Sequence, residues 1–282
     1  MRKQNLLTII FLACLLLSFI TFMLINNLGK PIVRGFYCND QTITKPYRES
    51  TIKTSVNILI GILFFLITFF AAEGYRLQSN RELITIREIV KVGKYTIYVR
   101  TWIIDWCLVI FWLCFGWLIE CIIADTIKIT VGVLRPHFHD VCNTVIINDQ
   151  INCSINTSMY VQPDQYVCNS SYSMDLQYEM RKSFVSNHAG VIAYLTGFAT
   201  MLLFFRWPWK AKRYICMIPV VIACLAIVIG VGVSRIIDNK HHPMDVFSGA
   251  MLGFTVAFIF VIPVRKSRLK STEAVTDYST YT

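Results

Sequence analysis

Six apolar runs divide the chain, at residues 6–26, 55–75, 102–123, 189–205, 214–233 and 246–264, and they limit what it can fold into. A hydrocarbon core about 30 Å thick takes roughly 20 helical residues to cross, and each run reaches or nearly reaches that length. Inside lipid the backbone has no water to bond, so runs of this kind satisfy their own polar groups as helices. The expected fold class is an all-α integral membrane protein, with six transmembrane helices in a bundle. Composition agrees, with 55% of residues hydrophobic and 16% charged, unlike the balance of a soluble domain. The first run follows Arg2 and Lys3, but Leu6 to Ile25 is too long for a signal-peptide core and no small-residue cleavage site clearly follows. It is expected to remain as a signal anchor.

A formal charge of +10 raises the question of nucleic acid, and its distribution answers it. With the N-terminus inside, sixteen of the 27 Lys and Arg residues fall at Arg2–Lys3, Arg76–Arg100, Arg206–Arg213 and Arg265–Lys270. Basic excess in short cytosolic segments sets orientation, so no nucleic-acid partner is implied. Both termini are then cytosolic, with residues 265–282 as a tail. Between the second and third runs, Leu83, Ile84, Ile86, Ile89 and Val90 are spaced like one helical face, predicting an amphipathic helix on the inner leaflet. Asp105 and Glu120 lie near the two ends of the third run, where snorkelling or helix pairing is expected of them.

The outside loops follow from the same orientation. Residues 27–54, with mixed charge and two prolines, predict an ordered loop over the bundle. Residues 137–183 hold three sequons, at Asn152, Asn156 and Asn169, and none occurs elsewhere, which predicts a glycosylated extracytosolic loop. Cys38, Cys142, Cys153 and Cys168 all lie in these loops, allowing two disulfides in any of three pairings. His137 and His139 have no matching ligands nearby, so neither a metal site nor a cofactor is expected.

Three polar clusters fall at the outer ends of runs. In Lys128-Ile-Thr-Val-Gly-Val-Leu-Arg135-Pro136 the two cations are seven apart, a spacing that puts them on one helix face, with Pro136 as the stop. Ser186-Asn187-His188 precedes the fourth run, and a capping serine there leaves a helix N-terminus free for an anion. Ser234 to Asp245 separates the last two runs. Its His241 and Asp245 are four apart, sharing a face if the last helix starts near Pro243. The carboxylate would then accept from one imidazole nitrogen and leave the other as a nucleophile, with Arg235 as a third cation. A transporter would place its ionisable groups near the midplane, which these are not.

The order Lys-x6-Arg-Pro, Ser-x-His, Ser-Arg-x5-His-x3-Asp resembles the three-part signature of the type 2 phosphatidic acid phosphatase (PAP2) superfamily. Arg34 to Asp40, Arg135-Pro-His-Phe138 and Lys240-His-His242 extend the likeness to the animal lipid phosphate phosphatases, over nearly the whole chain. The resemblance implies one polytopic domain over 1–282 with an acid phosphatase and vanadium haloperoxidase-like core. It implies His241 as the attacking nucleophile, Asp245 as its orienting acid and His188 as the proton donor to the leaving group. Lys128, Arg135, Ser186, Asn187 and Arg235 would hold the phosphate. The implied activity is magnesium-independent hydrolysis, through a phosphohistidine, of phosphatidate, lysophosphatidate, sphingosine 1-phosphate and ceramide 1-phosphate. Phospholipid and sphingolipid phosphates are thus the expected partners in a plasma or internal membrane, and homo-oligomerisation stays open. One departure stands in the second motif, where the family usually carries glycine and this chain has Asn187. A catalytically silent, phospholipid-binding relative is the alternative that this asparagine raises.

Overall fold

The computed structural model describes residues 2–79, 87–92, 95–147, 153, 158–206 and 210–280. In chain order the elements are α1 (Arg2–Leu28), β1 (Phe36–Tyr37), α2 (Thr54–Ser79), β2 (Arg87–Val92), β3 (Tyr95–Arg100) and α3 (Thr101–Val131). There follow α4 (Phe138–Cys142), β4 (Thr144–Ile146), β5 (Tyr160–Val161), β6 (Tyr166–Cys168), α5 (Met174–Glu179), α6 (Asn187–Arg206), α7 (Lys210–Ile237) and α8 (Pro243–Thr280). Six of these helices are long and apolar enough to cross a membrane, over Ile9–Leu28, Thr54–Gly74, Thr101–Val131, Asn187–Arg206, Ile215–Ile237 and Pro243–Arg265. The third runs eight residues further than the apolar run alone suggested, because Ala124 to Val131 remain helical until Gly132. Gly132 adopts φ 63° and returns its N–H to the Lys128 carbonyl, a left-handed stop that suits glycine.

The bundle is built around α6, which packs against α8, α2, α7 and α3. Of its span 72% is buried, against none of the α1 span. Small residues allow this closeness. A Cβ on Gly249 of α8 would lie 2.4 Å from the Ser186 carbonyl oxygen, and one on Gly253 would lie 2.1 Å from that of Gly190. The apolar core between α2, α3, α6 and α8 contains Phe65, Phe69, Val109, Tyr194, Phe198, Val256 and Val261.

At the end of the bundle where α6 finishes, Arg206 is buried and pairs with Glu73 of α2 and with Asp105 of α3 at 2.9 Å. Trp106 Nε1 donates to Glu73 at 3.2 Å. Asp105 therefore pairs helices as expected, while Glu120 neither snorkels nor pairs. It is fully buried, with one oxygen unbonded beside Gly190 and the other 3.6 Å from Cys121 Sγ.

The amphipathic helix expected before α3 is replaced by a hairpin. β2 and β3 pair antiparallel from Arg87↔Arg100 to Val92↔Tyr95, and Leu83, Ile84 and Ile86 lie outside the described residues. The sequence favours strands here, since Ile89, Val90, Val92, Thr96, Ile97, Tyr98 and Val99 are β-branched or aromatic and glycine falls between the two runs.

At the opposite end the long loops form a cap with its own core of Phe36, Ile43, Leu134, Phe138, Val141, Val161, Tyr166 and Met180. β1 of the 27–54 loop pairs with β5 of the 137–183 loop, and β4 pairs with β6 within the latter. The disulfide pairing, open from sequence, is Cys38–Cys153 and Cys142–Cys168. Asn169 is exposed on this cap, and Asn152 and Asn156 lie outside the described residues.

Candidate active site

All three polar clusters lie at the capped end: Lys128 in the last turn of α3, Ser186 before α6, and His241 before α8. Lys128 and Arg135 do not share a helix face as expected, because α3 ends at Val131 and Arg135 sits in the loop beyond Gly132. They converge all the same. Arg135 N–H bonds the Met180 carbonyl, Ser183 N–H bonds the Val133 carbonyl, and both cations lie within electrostatic reach of Glu179. Arg135 donates to Glu179 at 2.8 Å. Burial pushes the Glu179 carboxyl up, but Arg135, Lys128 and Lys182 outweigh it and hold the group below the ordinary glutamate value.

His241 is buried, and its Nδ1 is 2.7 Å from the Ser183 carbonyl. A carbonyl only accepts, so Nδ1 carries the proton and Nε2 keeps its lone pair. The expected direct bond from Asp245 is not made: its Oδ2 is 3.9 Å from Nδ1. The four-residue spacing fails because His241 precedes the helix, which begins at Pro243. Asp245 instead accepts from Ser183 Oγ at 2.5 Å, His242 N–H at 2.9 Å and His242 Nδ1 at 3.2 Å. It holds His241 one residue removed, through Ser183. Burial is the main cause that takes the His241 imidazole down to about 3; Arg135 and Lys128 add to it and Asp245 opposes it, so the ring is neutral at physiological pH.

His188 lies in the first turn of α6, its ring beside the Ile52 backbone and its Nε2 buried without a partner. Arg235 donates to the Ile52 carbonyl, at 3.3 Å, so the stretch just before α2 lies beside both the second motif and the third. Arg235 lies within reach of Arg135, and His188 within reach of Arg235, Lys128 and Arg135. Ser186 is not the side-chain cap expected: its hydroxyl is buried and unbonded, while its N–H donates to the Asp245 carbonyl at 3.0 Å. Asn187 Nδ2 donates to Asp125 Oδ1 at 2.7 Å, so its side-chain amide is committed to Asp125, and what it offers an anion is the backbone N–H of the first helical turn.

Several residues of this site had no motif to mark them. Asp125 also pairs with Lys128 at 3.5 Å and accepts from Asn26 at 3.4 Å; its i,i+3 spacing from Lys128 was a readable signal. Asn57 donates to the His188 carbonyl at 3.1 Å. The 45–52 segment straps the site: Lys45 N–H bonds Pro136, Tyr47 N–H bonds Asp140, Ser50 accepts from Arg235 and Thr51 bonds Asp238. Lys240, buried, sits 3.7 Å over the Tyr47 ring and within reach of Arg135 and Arg235. Burial, then those two arginines, bring its ammonium down to about 8. His137 donates from Nδ1 to the Asn239 carbonyl at 2.7 Å, and burial lowers it to about 4. His139 bonds Thr144 in the cap, so the two histidines serve different places.

Buried cations, a helix N-terminus and two imidazoles at one end of a six-helix bundle define a class: integral membrane proteins with a candidate site for a phosphoryl group. Residues 109–268 match the PAP2 superfamily, and the chain belongs to it. Phospholipid phosphatase 2 of Mus musculus is 30% identical over 261 residues, covering 93% of this chain and 87% of the mouse protein. The human phospholipid phosphatase 2 is 29% identical, covering 93% of this chain and 83% of its own. A Drosophila melanogaster protein, provisionally assigned as a phosphatidate phosphatase, is 26% identical over 82% of this chain but 61% of the fly protein. No solved structure matches the chain.

Proposed function

We propose that this membrane protein is a lipid phosphatase that hydrolyses phosphomonoesters such as phosphatidate, lysophosphatidate, sphingosine 1-phosphate and ceramide 1-phosphate through a phosphohistidine. The observation that carries this reading is His241 itself, a buried neutral imidazole with its Nδ1 proton held by Ser183 and its other nitrogen free among fixed cations. Family membership and the named phosphatase relatives point the same way.

His241 Nε2 attacks phosphorus and the ester P–O bond breaks. His188, as the imidazolium that a bound phosphate dianion favours, gives its proton to the departing alkoxide. Water then attacks the phosphohistidine, returns a proton to His188, and phosphate leaves with His241 restored. Lys128, Arg135, Arg235, the Ser186 hydroxyl and the first N–H groups of α6 hold the phosphoryl oxygens. These side chains supply the charge stabilisation that phosphoryl transfer needs, which supports magnesium independence. The exposed sequon at Asn169 and both disulfides sit at the site end, which supports a lumenal or extracellular site, cytosolic termini and the whole chain acting as one domain.

The test is phosphate release from phosphatidate in detergent micelles with a chelator present. The expected result is turnover by the wild type and release at background for His241→Ala. Turnover that survives this substitution removes His241 as nucleophile.

A further inference from the structure

Among the described residues, those proposed to hold the phosphate or protonate the leaving group carry five buried side-chain atoms with no hydrogen-bond partner: Arg135 Nε, Ser186 Oγ, Asn187 Oδ1, His188 Nε2 and Arg235 Nε; Asn57 Oδ1 and His137 Nε2, on residues behind them, are unpaired as well. A phosphoryl group satisfies four of the five. Both guanidinium nitrogens and the serine hydroxyl donate, and His188 donates when protonated. Asn187 Oδ1 is different. Its amide cannot be turned, because Asp125 Oδ1 at 2.7 Å accepts only and so takes the NH2 side. Asp125 is itself fixed by Lys128 and Asn26. What remains beside Ser186 and His188 is an acceptor that can never donate, and a phosphate dianion has no proton to give it. Left alone, a buried carbonyl oxygen is costly.

The group that fits is an O–H or N–H close to the phosphate. Of the four lipids in the proposed function, three carry one on the carbon next to the phosphorylated carbon: the hydroxyl of lysophosphatidate, the ammonium of sphingosine 1-phosphate and the amide N–H of ceramide 1-phosphate. Phosphatidate carries an ester oxygen there. We propose that Asn187 Oδ1 accepts a hydrogen bond from this neighbouring donor, so that the chain selects lipid phosphates with a vicinal O–H or N–H. The proposal rests on the hydrolase reading above. The other source of a donor is the water that hydrolyses the phosphohistidine, and that water is the same whatever the lipid.

The experiment compares kcat/KM for 1-acyl lysophosphatidate and for its 2-deoxy analogue of the same chain length, in detergent micelles, for the wild type, Asn187→Ala and Asn187→Gly. The expected wild-type preference for the hydroxyl is about three- to tenfold, the range one neutral hydrogen bond supplies. In both variants the ratio is expected to fall to about one. Glycine is the residue the superfamily usually carries there, so a poorly folding alanine variant leaves the comparison intact. A wild-type ratio of about one overturns the proposal. So does a ratio that persists in the variants, including one accompanied by an equal loss on both lipids, which assigns the oxygen to water. A wild type that releases phosphate from neither lipid fails differently: it removes the hydrolase reading and the selectivity with it.

Discussion

Lys240 shows how one side chain is set by neighbours distant in sequence. Its ammonium rests on the Tyr47 ring and faces Arg135 and Arg235, with Asp238 and Glu49 as the opposing charges. Desolvation and the two guanidinium groups favour its neutral form, so its proton leaves at a lower pH than that of a free lysine. The sign follows directly: Lys240 is charged below about 8 and loses its charge above it. Because that charge adds to the phosphate field, kcat/KM is expected to fall as pH rises through this value. In Lys240→Arg, whose guanidinium stays protonated, this alkaline fall moves up by more than about one pH unit. A pH–rate profile on lysophosphatidate checks it, and an unmoved limb assigns the fall to another group. The motif Lys-His-His was visible in the sequence, but the Tyr47 ring beneath it was not.

Among the elements, the contact of α6 with α8 controls the geometry of the site. Gly249 faces the Ser186 carbonyl, and the Ser186 N–H bonds the Asp245 carbonyl, so the starts of both helices are locked together. A methyl at Gly249 has backbone as its obstacle and forces the helices apart. Gly249→Ala is expected to lose at least tenfold in kcat and about 1–3 kcal/mol of stability, as overpacking does. Gly253→Ala, one turn deeper, is expected to cost similar stability with a smaller loss of kcat. Phosphate release alongside thermal unfolding in detergent separates the two. The hairpin β2–β3 carries the opposite lesson: β-branched and aromatic composition outweighs a roughly helical spacing of apolar residues.

Across the whole molecule the two ends are held by different means. The cap has disulfides and a small apolar core, whereas the far end has the buried Arg206 with Glu73 and Asp105. Arg206→Met takes the cation out of a buried ion network with Glu73 and Asp105, so it is expected to destabilise the protein by about 3–5 kcal/mol. Arg206 ends a helix of 20 residues whose start forms the site, a separation of about 30 Å. Activity per folded molecule is therefore expected to hold while the unfolding temperature drops, measured in detergent on the same preparation.

The apolar runs alone carry the six helices, because a hydrocarbon solvent leaves a backbone few alternatives. Motif spacing likewise brought His241, His188, Lys128, Arg135 and Arg235 to one end, since each lies beside a span terminus and alternate termini share a side. Their mutual contacts lay beyond such reading. Lys128 and Arg135 meet through a loop rather than a helix face, Asp245 reaches His241 through Ser183, and Arg235 is held by the Ile52 carbonyl. The disulfide pairing, the strap at 45–52 and the Asp125–Asn187 bond belong with these. Each depends on which loops or helices pack together, and such neighbours lie far apart along the chain, which no local periodicity encodes.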